Sequence, residues 1–247
     1  SSPRAGIRLA DQRPFRAPHH SASMAALIGG GRHAKPGEIS LAHCGVLFLD
    51  ELPEFSRQAL DALRQPIETG RVEVARAEAH VSYNADFQLI AAMNPCRCGH
   101  ADDPDLACHR LPLCRQEYLS KLSGPLFDRF DIRIDVPPVA LSSMMSEEKG
   151  EPSAAIVARV AAAQARQYRR QECLNVRLDG DRLRELASPD AAGQKLLDAI
   201  IEDGRMTARG FNRVLRVARS LADLQARDLP AAEDIATALS WRGVSLS

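Results

Sequence analysis

The feature that most constrains this chain is a continuous apolar run, Gly45-Val-Leu-Phe-Leu49, that stops abruptly at two acids, Asp50-Glu51. A short uninterrupted apolar stretch bounded by polar residues reads as a strand buried on both faces, the habit of parallel sheets. Ligands of open α/β sheets bind beyond the carboxyl ends of the strands. A carboxylate there can hold Mg²⁺ against nucleotide phosphates, and its neighbour can take a proton from an attacking water. The same motif is also the ordinary look of a strand running into a helix cap, so on its own it leaves both readings open.

The flanking sequence extends this into an α/β unit. The first 40 residues, rich in Arg, His, Gly and Pro, read mostly as loops, with Gly29-Gly30-Gly31 fit for a tight reversal. Ser56 is expected to cap a helix running to about Glu68, which Gly70 stops. Segments 71–75 and 81–83 alternate around Arg76-Ala-Glu-Ala and predict a hairpin. A second buried strand is expected over 87–93, ending at Asn94-Pro95. A short helix through 118–122 and a further strand at 132–136, stopped by Pro137-Pro138, complete the α/β core, 1–139. Residues 140–152 read as a linker, and everything beyond as helix: 153–170, 181–186, 190–202, 207–225 and 231–241. The 207–225 segment places Phe211, Val214, Leu215, Ala218, Leu221 and Leu224 on one apolar stripe.

Charge narrows the function classes. Lys+Arg and Asp+Glu both total 32, so no global basic field advertises nucleic acid, and any such contact needs a local patch. No run of about 18 apolar residues exists to span a membrane, and Ser1 to Leu9 lacks the apolar core of a signal peptide. A cytoplasmic setting without membrane partners is therefore expected, where disulfides are rare. Of the six cysteines, Cys96, Cys98, Cys108 and Cys114 cluster, with His100 and His109 between them. Four thiolates can bind Zn²⁺ and staple a loop too poor in apolar residues to order itself. Cys-x-Cys is tighter than the usual zinc-ribbon spacing, so free thiols or disulfides stay open. Cys44, beside the apolar run, is expected in the core, and Cys173 stands apart. His19-His20 can ligate a metal, although adjacent histidines usually do not.

Six segments carry a resemblance: Arg13-Pro-Phe-Arg-Ala-Pro-His-His20, Lys35-Pro-Gly-Glu-Ile-Ser-Leu-Ala42, Gly45-Val-Leu-Phe-Leu-Asp-Glu-Leu-Pro-Glu-Phe55, Ala91-Ala-Met-Asn-Pro-Cys96, Leu122-Ser-Gly-Pro-Leu-Phe-Asp-Arg-Phe-Asp131 and Arg213-Val-Leu-Arg-Val-Ala-Arg-Ser-Leu-Ala-Asp-Leu224. In this order they resemble the magnesium-chelatase-like AAA+ ATPases over nearly the whole chain. The resemblance implies a partial P-loop NTPase core followed by an all-α lid, working as a self-assembled ring, a hexamer, with ATP and Mg²⁺ between subunits. It makes Asp50 the Walker B metal-side carboxylate and Glu51 the hydrolytic base. Asn94 takes the sensor-1 role, for which its amide both donates and accepts; a plain turn before Pro95 is the alternative. Arg129 resembles an arginine finger, or else pairs within its own helix with Asp128 or Asp131. Arg209 fits sensor 2, or is a solvated helix-start arginine.

Family members also need Gly-x-x-x-x-Gly-Lys-[Ser/Thr] to cradle phosphates, and no such segment exists here. The chain is therefore expected to start downstream of that loop and of the family's N-terminal protease-like domain, and alone to bind ATP poorly. Two insertions match pore-facing loops of related helicases: the 71–83 hairpin with Arg76, and the 25–42 segment with Arg32, His33 and Lys35. Basic residues on such loops can grip phosphate backbones; ordinary surface hairpins look the same. The function implied is an ATP-driven DNA-remodelling or branch-migration helicase of natural transformation. A chelatase-type motor acting on a partner subunit and a non-catalytic oligomerisation module are the alternatives.

Overall fold

The apolar run at 46–49 is the middle strand of a three-stranded parallel sheet. The computed structural model describes residues 12–31, 34–76, 79–99, 108–137, 150–204 and 206–244. The chain divides into two units, 1–129 and 130–247. The expected linker lies largely outside the described residues, as do Arg32, His33 and His100.

In the first unit, strand β1 (Phe15–Arg16) leads to helix α1 (Met24–Ile28), the small antiparallel pair β2 (Gly29–Gly30) and β3 (Lys35–Pro36), helix α2 (Glu38–Leu41) and strand β4 (Val46–Leu49). Helices α3 (Arg57–Ala62) and α4 (Arg64–Thr69) follow, then the hairpin β5 (Arg71–Arg76) and β6 (Ala79–Asn84), strand β7 (Gln88–Ala91), and helices α5 (Leu113–Leu119) and α6 (Gly124–Phe127). The parallel sheet has the order β1-β4-β7. Its flanking helices and hairpin insertion agree with the expected class.

Several expectations need correction. The β4 strand is fully buried on one face only: Leu47 and Leu49 are 0% exposed, while Val46 and Phe48 are half-buried. Among the described residues the expected second buried strand, β7, is an edge of the sheet, and its Ile90 is exposed. The single helix expected after Ser56 is two. Pro66 has no amide to give the Ala62 carbonyl and its ring crowds that turn, so the chain breaks at Leu63. Residues 132–137 form no strand: the alternation is right, but Ile132, Ile134 and Val136 are exposed and the Arg133 amide donates to the Trp241 carbonyl instead. Cys44 is exposed rather than in the core, because its left-handed backbone, φ 61, turns the chain just before β4.

Close approach of β1 to β4 depends on Gly45. A Cβ there would sit 1.9 Å from the Pro14 carbonyl oxygen, the atom that accepts the Val46 amide at 2.8 Å. Gly45→Ala must push the strands apart, so it should destabilise the chain by at least about 2 kcal/mol. A lower denaturation midpoint in urea reads this out, and an unchanged midpoint would contradict it.

The second unit holds helices α7 (Ser153–Gln171), α8 (Gly180–Leu186), α9 (Ala191–Glu202), α10 (Ala208–Leu224) and α11 (Ala232–Ser240). Asp190 and Thr207 cap α9 and α10 by accepting the amides of Gly193 and Gly210. Leu183, Leu197, Val214, Leu215, Ile235 and Leu239 form its core. Among the described residues no helix is long and apolar enough to cross a membrane.

Candidate active site

Beyond β4 the ladder with β7 skips two residues. The Ala92 amide donates to the Leu49 carbonyl at 2.9 Å, and the Leu52 amide donates to the Ala92 carbonyl at 3.0 Å. Asp50 and Glu51 bow out between these bonds, at the carboxyl end of the sheet. Glu51 takes a left-handed backbone, φ 51 and ψ 46, before a 3₁₀ turn at Leu52–Glu54. That conformation costs a non-glycine residue about 1 kcal/mol or more and persists only where surroundings enforce it. Here the enforcement comes from buried Leu52 and Pro53 on one side and the β7 bonds on the other. One Asp50 carboxylate oxygen accepts the Glu51 amide at 2.9 Å.

Because β1 runs parallel to β4, the chain leaving it emerges at the same pole. Ala17-Pro-His-His20 forms the opposite wall of an open cleft lined by Phe48, Asp50 and Glu51. His20 Nδ1 lies 2.9 Å from Glu51 Oε2, with the His19 ring packed on it at 4.0 Å between centroids. His20 was legible only as half of an unexplained pair, because the contact joins segments distant in sequence.

Asn94 stands three residues past the end of β7 and is exposed. Its backbone hydrogen-bonds the hydroxyl of buried Tyr118, on α5. Burial holds the Tyr118 phenol above its usual pKa; the Asn94 bond opposes this, and the charges of Glu54 and Glu51 add to the rise. Lys121 Nζ reaches Glu54 at 3.2 Å, and the Ser123 hydroxyl donates to Asp61 at 3.0 Å. The segment after β7 is thus tied to the acidic turn, which brings Asp50, Glu51 and Asn94 to one pole. Tyr118 gave a sequence signal only in being one of 3 tyrosines.

The remaining candidates sit on their own segments. The Arg129 side chain is only 7% exposed and pairs with Glu68 at 2.6 Å, within its own unit. Arg209 is exposed in the first turn of α10, in the second unit. Lys35 is exposed on β3. Arg76 ends β5, but its side chain, like Arg32, lies outside the described residues. The two insertions are joined: the Tyr83 hydroxyl of β6 donates to the Ala34 carbonyl beside β3 at 2.6 Å. Cys96, Cys98, Cys108 and Cys114 place their sulfur atoms within 4.8 Å of one another.

Comparison with known proteins accounts for both units. The family profile described as magnesium chelatase, subunit ChlI, matches residues 3–144, and its C-terminal companion matches residues 150–242. The chain belongs to the magnesium chelatase ChlI family. Within it, the chain is 47% identical over 239 residues to YifB of Salmonella typhimurium and 44% over 236 to YifB of Escherichia coli. It is 42% identical over 234 residues to the competence protein ComM of Haemophilus influenzae. Each alignment covers 94% of this chain and 46% of the relative, so the chain spans about half the length of the curated relatives it matches.

The donor set fits the magnesium nucleotide that ChlI-type AAA+ proteins imply. Hard oxygen donors suit Mg²⁺, which keeps several waters and takes few protein ligands, and Asp50 is exposed on an open cleft. Asp50 would hold the metal side, with Asn94 near the terminal phosphate. Bound Mg²⁺-ATP supplies a polarised phosphoryl group. On the chain's own side, Glu51 lies beside His20 and the Asn94 backbone meets the Tyr118 hydroxyl.

Proposed function

We propose that this chain is the catalytic-acid and lid portion of an ATP-driven ring motor that remodels DNA, with branch migration during natural transformation as its setting. The observation that carries this reading is the acid pair bowed out at the carboxyl end of β4, facing an open cleft beside the Asn94 segment. In this reading Glu51 draws a proton from the attacking water, Asp50 serves the metal, and Asn94 orients the water or the terminal phosphate. The phosphate-cradling loop is supplied from outside these 247 residues. Identical subunits meet around the nucleotide, and Arg129 serves a neighbour's site after leaving Glu68. Arg209 reads the nucleotide from the lid.

DNA is favoured as the polymer for two reasons. The ComM relative is a competence protein by name. The two insertions, tied by the Tyr83–Ala34 bond, carry Lys35 exposed on β3, and their sequence also holds Arg32 and Arg76. The family description favours a second reading, a chelatase-type motor that acts on a partner subunit.

ATP turnover by the intact protein, with and without forked DNA, separates the two. The expected result is a several-fold stimulation by DNA together with movement of labelled junctions. Turnover indifferent to DNA, alongside binding to a porphyrin-handling partner, would replace the first reading with the second.

A further inference from the structure

We infer that Cys96, Cys98, Cys108 and Cys114 form a tetrahedral site for one structural Zn²⁺, built onto the segment that carries Asn94. Four sulfur atoms from three separate stretches of chain converge within 4.8 Å of one another, and the Cys96 and Cys98 sulfurs lie 3.2 Å apart. Zinc–thiolate bonds of about 2.3 Å in a tetrahedron put the sulfurs about 3.8 Å from each other, so the observed cage fits a single ion. An iron–sulfur cluster places its own iron and sulfide atoms between the cysteines and needs a wider cage. Disulfides join thiols in pairs, whereas here four meet at one point.

Local structure builds the site from both ends. Cys96 follows Asn94-Pro95 at the exit of β7, and its carbonyl accepts the Gly99 amide at 3.0 Å in a turn that brings Cys98 back; Gly99 takes φ 83. Cys114 sits in the first turn of α5, its amide bonded to the Arg110 carbonyl at 2.9 Å. Cys96 and Cys114 are buried and Cys98 is exposed, so the ion would be shielded on one side and loadable from the other. Binding releases the thiol protons and leaves four thiolates around a dication.

The metal also closes a loop around Asn94. Cys96 lies two residues beyond Asn94, and Cys114 lies one helical turn before Tyr118, whose hydroxyl meets the Asn94 backbone. Zinc thus clamps the exit of β7 to α5. This consequence rests on the ATPase reading given above; the metal site does not.

Metal analysis of the purified chain from zinc-supplemented medium tests the site. About one zinc per chain is expected, unchanged in Cys44→Ser and Cys173→Ser and clearly lowered in Cys98→Ser, which removes one of the four thiolates. Cobalt substitution of the unaltered chain should give the intense visible bands of tetrahedral thiolate coordination, a readout that does not need the variant to fold. A folded chain free of zinc, iron in its place, full zinc in Cys98→Ser, or cobalt without those bands would each overturn the assignment. In the intact protein, zinc removal should lower ATP turnover. Unchanged turnover would remove the clamp and leave both the metal site and the roles of Asp50 and Glu51 standing.

Discussion

Glu51→Gln in the intact protein is expected to cut ATP turnover by about 10²- to 10⁴-fold, the usual contribution of a positioned base, while nucleotide binding persists. The substitution is nearly isosteric, so the left-handed turn at 51 and the contact with His20 can both survive it. What disappears is the ability to accept a proton at the end of β4. Bound ATP should then accumulate unhydrolysed, which filter retention of labelled nucleotide measures directly. Asp50→Asn should do the opposite: weaker Mg²⁺-dependent nucleotide binding, with the base intact. The two phenotypes differ because one carboxylate is assigned to binding and the other to proton transfer. Unaltered turnover in Glu51→Gln would leave the oligomerisation-module reading in its place.

How much of this was legible in the residues follows from where each signal resides. The strand before Asp50-Glu51 could be read directly, because its apolar run and abrupt acidic end are local. The helices of the second unit were legible within a residue or two, since Asp190 and Thr207 mark their starts and a 3.6-residue period marks their faces. The strand expected at 132–136 failed because alternation reports a half-buried face and says nothing about whether a partner edge exists. The split at Leu63 was in reach: Pro66 carries its own reason for a break. His20 and Tyr118 were beyond local reading. Their roles arise only when parallel pairing of β1 with β4 carries His20 to Glu51, and when α5 returns to the Asn94 segment. Arg129 looked available because its burial depends on Glu68, far away in sequence.

The same blindness hid a buried electrostatic element of the second unit. Arg219 and Asp223, spaced i and i+4 on α10, resemble an ordinary solvated helix pair, yet both side chains are 0% exposed. Asp223 accepts Arg219 Nη2 at 2.9 Å, two bonds from Arg170 at 2.6 and 3.0 Å, and Asn175 Nδ2 at 2.8 Å. Arg219 also donates to the carbonyls of Arg227 and Asp228. Asp223→Ala would leave the fully buried Arg219 guanidinium and the part-buried Arg170 guanidinium close together without the carboxylate that both bond, and arginine cannot shed its proton to escape. Breaking one side of such a buried pair costs about 3–5 kcal/mol, a large share of the roughly 5–15 kcal/mol that holds a domain folded. The variant should therefore unfold far earlier in urea, whereas Asp223→Asn, which keeps the shape and part of the bonding, should fall between it and the parent. Acid supplies a second readout. Burial pushes the Asp223 carboxyl up, but the bonds from Arg170 and Asn175 and the nearby guanidinium charges outweigh it and hold the pKa below the ordinary value. The stabilisation is then complete above the unfolded carboxylate value of about 3.9 and is lost as pH falls through the lower folded value. The parent should lose stability across that acid window and Asp223→Ala should show less of this loss; equal acid profiles would mean that the carboxylate is not held ionised by its neighbours.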